Sequence, residues 1–161
     1  MRKIIIIFIF FISNNLHALN LDIGFTTGKT NSSNKNQANG FNLNLLFGNQ
    51  GQQFGIGTKK VLQKQNNNKY NSLESLSVFY RSNYYSFGVF YGGSIPDVEN
   101  FIKSFKFSEI TYQHGASIEL IIPLGNSFLL GLEGRHHVWH KDSAGDDFQS
   151  YWLNLNYKFS L

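Results

Sequence analysis

Past residue 18 the chain alternates between apolar and polar side chains, and the alternation breaks into eight segments. Leu19, Leu21, Ile23 and Phe25 share one parity, with Asn20, Asp22, Gly24 and Thr26 on the other. Phe41 to Phe47, Phe54 to Thr58, Leu76 to Tyr80 and Tyr85 to Tyr91 repeat the pattern. So do Ile110 to Ile122, Leu130 to Val138, and Tyr151 to Leu161. A period of two is the mark of a half-buried strand, so eight strands are expected. No segment carries a competing helical period, apart from a turn of helix expected within Val98 to Phe105.

The connections are patterned too. Gly28–Gly40, Gln63–Ser72, Gly93–Ser108 and His140–Phe148 are long and polar. Asn49–Gln53, Ser82–Asn83 and Pro123–Ser127 are short, and the two kinds alternate. An even number of antiparallel strands, with short turns at one end and long loops at the other, is the sequence signature of an outer-membrane barrel. In a soluble sandwich the same alternation would place the apolar face in a core. Here that face carries aromatics at strand ends (Tyr85, Tyr91, Tyr112, Tyr151, Tyr157, Phe159), as an interfacial girdle requires. The opposite face is rich in Gly, Ser, Asn and Thr, which suits the narrow interior of eight strands. The expected fold is therefore all-β: an eight-stranded antiparallel transmembrane β-barrel of the up-and-down kind.

The N-terminus adds a destination. Arg2 and Lys3 precede an apolar run, Ile4 to Ile12, and Leu16-His17-Ala18 ends in a small residue. This reads as a signal peptide over 1–18 that is cleaved to leave the barrel as 19–161. The run is too short to span a bilayer as a helix. Loss of Arg2 and Lys3 takes the formal charge from +4 to +2. An exported chain so near neutrality has little footprint for nucleic acid, and none is expected as a partner. With no cysteine among 161 residues, disulfides, thiol chemistry and Cys-ligated metals are excluded. No cofactor is expected.

The last strand, Tyr151, Leu153, Leu155, Tyr157, Phe159 and Leu161, resembles the terminal signal by which outer-membrane barrels meet their assembly machinery. It ends on Leu rather than an aromatic. The chain as a whole is similar to the small eight-stranded outer-membrane barrels. That resemblance implies a Gram-negative outer membrane, with both termini periplasmic and with membrane lipid and lipopolysaccharide as neighbours. It implies no single activity, because such barrels serve as anchors, adhesins and lipid-modifying enzymes.

Three sets of residues are candidates for chemistry. By parity, Asp22, Arg81, Glu119, Glu133, Arg135, His137 and Lys158 point inward, where isolated charges are costly and must pair. Strands one and eight meet on closure, so a Lys158–Asp22 pair is expected, and Glu133 and Arg135 should join a network with Glu119 or Arg81. Such a network reads as a plug, because eight strands leave no open lumen.

The second set is the run Arg135-His136-His137-Val138-Trp139-His140. His136 and His140 lie ~13 Å apart along a strand, a poor spacing for a shared metal, so no metal site is expected. The stretch from Gly131 to Lys158 resembles the final hairpin of the lipid A 3-O-deacylase family. The resemblance implies His136 as an outward general base. Val138 stands in the nucleophile slot and Gln149 in the acid slot, so a hydrolase would need Ser150 or Ser143 with Asp147 as substitutes. The third set is the lysines of the long-loop end, Lys29, Lys35, Lys59, Lys60, Lys64, Lys69, Lys103, Lys106 and Lys141. Lys64, Lys69, Lys103, Lys106 and Lys141 are candidates for binding lipopolysaccharide phosphates. Solubility of exposed loops explains them equally well.

Overall fold

The structure, a computed structural model, describes residues 19–31, 37–49, 51–64, 70–95, 97–104, 106, 110–139 and 147–160. The expected signal peptide lies outside them. So do Lys35, Lys69, His140, Lys141, Asp142, Ser143, Asp146 and Leu161.

Eight strands form, where the alternation placed them. They are β1 (Leu19–Thr30), β2 (Gln37–Asn49), β3 (Gln52–Lys64), β4 (Tyr70–Ser82), β5 (Tyr85–Ile95), β6 (Thr111–Pro123), β7 (Phe128–Trp139) and β8 (Phe148–Ser160). A short helix, α1 (Val98–Ser104), stands in the β5–β6 connection and packs against β4. Asp97 caps it: its carboxylate accepts the Asn100 N–H at 3.1 Å.

Each strand pairs antiparallel with its sequence neighbour, and β8 returns to β1 to close the barrel. The closing register runs from Asn20↔Ser160 to Thr30↔Ser150. Closure leaves no free sheet edge, which is what a spanning sheet needs in lipid. The strands are 11–13 residues long. At ~3.4 Å per residue and a tilt of ~45°, thirteen residues rise about 29 Å, close to the thickness of a hydrocarbon core. The short turns are tight: Gly51 (φ 96°) and Gly125 (φ 97°) take left-handed backbone that other residues resist.

Apart from β6, the strands are longer than the alternation predicts, and the loops beside them correspondingly shorter. β3 runs to Lys64 and β4 starts at Tyr70, so the Gln63–Ser72 connection shrinks to 65–69. The extra residues mix polar and apolar side chains on both faces, Val61 and Leu73 inward and Leu62 outward among them, so the hydrogen-bond ladder continues after the simple apolar-out alternation has stopped.

The outer wall is apolar. Phe25, Phe41, Leu76, Val89, Ile118 and Leu155 are among its exposed side chains. The tyrosines separate by height. Tyr80, Tyr84, Tyr85 and Tyr157 lie toward the short turns, and Tyr70, Tyr91, Tyr112 and Tyr151 toward the long loops. These account for all 8 in the chain. A phenol prefers the boundary between hydrocarbon and water, so two tyrosine rims with Phe, Leu, Val and Ile between them mark an apolar belt.

The interior is not uniformly small. Phe79, Phe90, Phe148 and Trp152 point inward and are buried. Glycine makes room for them. Gly55 and Gly88 are the direct cross-strand partners of Phe79, and a Cβ on either would collide with that residue. Toward the long-loop end, Ala38, Val61, Leu73 and Trp152 form an apolar cluster within the barrel.

Candidate functional site

Residues pointing inward from different strands meet at three heights. Nearest the short turns, Asp22 is fully buried and pairs with Arg81 of β4. The Arg81 guanidinium also lies 5.6 Å from the Phe79 ring centroid, a cation–π contact. The expected Lys158–Asp22 pair does not form. The two residues are partners in the β1–β8 register, but Asp22 reaches across the lumen to Arg81 instead. A guanidinium can fork to a carboxylate across a narrow interior, whereas the Lys158 ammonium stays half-exposed at the mouth.

At mid-height lies a network on seven strands. Lys59 pairs with Glu133, and Arg135 Nε donates to the other oxygen of Glu133 at 2.7 Å. Arg135 Nη1 donates to Ser75 Oγ at 2.8 Å. Asn154 sits between the acids: its Nδ2 donates to Glu119 Oε1 at 2.7 Å and to Glu133 Oε2 at 3.1 Å. Its Oδ1 accepts from Thr26 Oγ1 at 2.7 Å and from Lys59 Nζ at 3.0 Å. Ser86 donates to the second oxygen of Glu119 at 3.1 Å. The expected Glu133–Arg135 association is present, and Glu119 joins it through Asn154. Arg81 belongs to the lower pair.

Lys59 is a correction. Counted with the long-loop lysines, it is in fact 5% exposed at the centre of the barrel. Its parity with Gly55 and Gly57 already gave its direction; the error lay in ending the strand at that point. Lys60 faces out and pairs with Glu74, both about half-exposed.

A cavity of about 30 Å³, bordered by Asn42, Asn156 and Glu119, remains beside this network. At ~10–15 Å³ per water, it has room for two or three. The Asn42 and Asn156 amide oxygens have no protein partner.

Toward the long loops, His137 stacks on Phe148 with centroids 4.2 Å apart and meets Phe90 edge-on at 4.9 Å. Trp152 Nε1 donates to Ser150 Oγ at 2.7 Å. The Ser150 hydroxyl lies 2.7 Å from His137 Nε2, and His137 Nδ1 lies 3.0 Å from Gln113 Oε1. The chain closes if Ser150 donates to Nε2 and the Nδ1–H donates to the amide.

The proposed hydrolase residues are not brought together. His136 is exposed on the outer wall, where its register partner is Gln149. Ser150 is 0% exposed inside. The two sit on opposite faces of the sheet, because residues of opposite parity cannot share one. Asp147 is exposed just before β8. The Ser150–His137–Gln113 chain has the order of a nucleophile, a base and an orienting group. The orienting group is a neutral amide, and no substrate reaches the buried serine.

Of the lysines, Lys64, Lys103 and Lys106 are exposed at the long-loop end. Lys103 donates to Glu99 Oε1 at 2.7 Å along α1. That bond holds its ammonium above the ordinary lysine range.

No known protein family matches the chain, and no curated protein matches it by sequence. Solved structures do match in shape. Neisserial surface protein A (NspA) superposes with a TM-score of 0.59 at 10% identity, over 89% of this chain and 97% of that one. Ail, the attachment invasion locus protein of Yersinia pestis, gives 0.48 at 12% identity, over 88% and 98%. A de novo designed transmembrane β-barrel gives 0.45 at 13%, over 87% and 95%. At these identities, the likeness to NspA is one of fold.

Proposed function

We propose that the chain is an integral outer-membrane barrel that works as a closed scaffold, holding its long connections at the cell surface as a binding face. The observation that carries this reading is the pairing of two surfaces. An apolar belt edged by tyrosines covers the outside, and buried ion pairs fill the inside. A soluble protein would not expose Phe25, Phe41, Phe54 and Phe87 at half or more of their area. A pore would not close its waist with a Lys59–Glu133–Arg135 cluster flanked by Phe79 and Trp152.

Both termini lie at the short-turn end in this reading, facing the periplasm, with the C-terminal strand offered to the assembly machinery. Lys64, Lys103 and Lys106, with Lys69 and Lys141, then meet the phosphates of lipopolysaccharide at the outer rim. Among the described residues, the deacylase reading has no exposed nucleophile and base assembled to support it.

Four measurements test the proposal. The folded chain should migrate differently on a detergent gel before and after boiling, and should partition with outer-membrane fragments. In a planar bilayer it should show no conductance above the bare membrane. Identical mobility with periplasmic solubility would defeat the membrane assignment, and steady open-channel current would defeat the closed scaffold. Lipid A from cells with and without the protein should carry the same acyl chains by mass spectrometry.

A further inference from the structure

The outer wall of β5 to β8 is uncharged. Among the described residues, no Lys, Arg, Asp or Glu points outward from these four strands. Besides tyrosines, the titratable groups on this face are two histidines, His114 of β6 and His136 of β7. Both are exposed.

The register brings the two together. His114 is the direct partner of Val138, and His136 of Ala116. The histidines are therefore diagonal neighbours on one face of adjacent strands, ~7–8 Å apart at Cα and somewhat closer at Cβ. Two ligands of one metal, each ~2 Å from it, stand no more than ~4 Å apart, and imidazoles rooted at this spacing can bring their ring nitrogens that close. The His136–His140 spacing along one strand is poor for a shared ion; the spacing across the strands is not. Tyr91 is the partner of His114 and Gln149 that of His136. The pair thus lies at the level of the long-loop tyrosines, the boundary that water reaches.

We propose that His114 and His136 form a two-histidine site for a divalent cation of the Zn²⁺ and Cu²⁺ class, with water in the remaining positions. Imidazole suits such ions, whereas Mg²⁺ and Ca²⁺ demand oxygen. No cluster of three or more His, Asp or Glu that could hold a metal is present among the described residues. The site is therefore open, and weaker than a four-ligand structural site. No outward cation on these strands repels the metal. An anion such as a lipid phosphate finds no permanent positive charge here, and Asp147, exposed just ahead of β8, adds a negative one to this end of the wall. The site needs only the fold and is independent of the binding-face reading above.

The test uses the untagged chain, folded in octyl glucoside micelles, with Zn²⁺ as the probe. Titration calorimetry should show one ion bound saturably per chain. Cu²⁺ should bind more tightly, and Mg²⁺ and Ca²⁺ at least a hundredfold more weakly. His114→Ala and His136→Ala should each weaken Zn²⁺ at least tenfold, and His140→Ala less than twofold. Both wall histidines are exposed, so their removal leaves the interior intact, and the gel shift of the folded barrel checks each variant. Paramagnetic Cu²⁺ should broaden the amide signals of Ala116 and Val138 and leave those of Leu130 and Phe159, toward the short turns, sharp. Inorganic phosphate without metal should move none of them. Three results would each overturn the proposal: no saturable Zn²⁺ binding by the unmodified chain, parent-like Zn²⁺ affinity in either His114→Ala or His136→Ala, or phosphate shifting Ala116 and Val138, which would make the pair an anion site.

Discussion

Lys59 and Lys60 are neighbours in sequence with opposite surroundings. Lys59 lies in the lumen against Glu133, Asn154 and the Trp152 ring, whose centroid is 5.5 Å from its ammonium. Lys60 lies on the outer wall against Glu74, with each side chain nearly half-exposed. Removing a partner from a buried pair leaves an ion without water, a loss of about 3–5 kcal/mol. An exposed pair is worth about 0–1 kcal/mol. Lys59→Met should therefore lower stability by about 3 kcal/mol, the low end of the buried range, because Arg135 still serves Glu133. Lys60→Met should change it by less than about 1 kcal/mol. Urea unfolding in micelles, followed by the gel shift, measures both; equal losses would contradict the placement of Lys59. This contrast was half legible in the sequence. Parity gave the direction of the inward charges other than Lys59, which was counted with the loop lysines, but not which charges meet, since that depends on reach across the lumen. Asp22 illustrates it: the adjacent Lys158 was the obvious partner, and Arg81, 59 residues away, is the actual one.

At the scale of a strand, the readable signal covers only the part that faces lipid. β3 was expected over Phe54–Lys59 and runs over Gln52–Lys64. Its extension, Lys60 to Lys64, pairs with β4 from Glu74 back to Tyr70. Hydrogen bonding therefore continues where hydropathy no longer alternates cleanly, because an apolar cluster fills the interior here and Val61 and Leu73 turn inward while Leu62 stays outward. Burial still alternates there: Val61 and Gln63 are each 3% exposed, whereas Leu62 is 44% exposed. The parent chain has no cysteine, so single cysteines can report this directly. Cysteine at 60, 62 or 64 should react with a membrane-impermeant maleimide applied to folded barrels in micelles. Cysteine at 59, 61 or 63 should be protected. Uniform labelling from 60 to 64 would mean that this stretch is loop. The short helix Val98–Ser104 was legible for the opposite reason, since it is a local structure whose cap and Glu99–Lys103 pair need no distant partner.

A closed barrel has strong contacts only between neighbouring strands, so something must couple opposite walls if it is to unfold as a unit. The mid-height network does this. Thr26, Lys59, Ser75, Ser86, Glu119, Glu133 with Arg135, and Asn154 come from every strand except β2. Asn154 is its hub. Two donated and two accepted bonds use the full capacity of its amide. Nothing in the sequence distinguished Asn154 from the other inward asparagines, because its importance lies in four partners on four other strands. Asn154→Leu keeps the approximate volume and strands two carboxylates, a hydroxyl and part of the Lys59 shell. Each buried group left unmade costs about 1–3 kcal/mol. With partial rearrangement, the expected loss is about 3–5 kcal/mol, in the range of severe single substitutions. A double-mutant cycle of Asn154→Leu with Lys59→Met should show coupling of about 0.5–3 kcal/mol, since the two residues share Glu133. Strict additivity would mean that the network does not act as a unit. Asn156→Leu provides the control: its amide oxygen has no protein partner, so its loss should be smaller by at least about 1 kcal/mol.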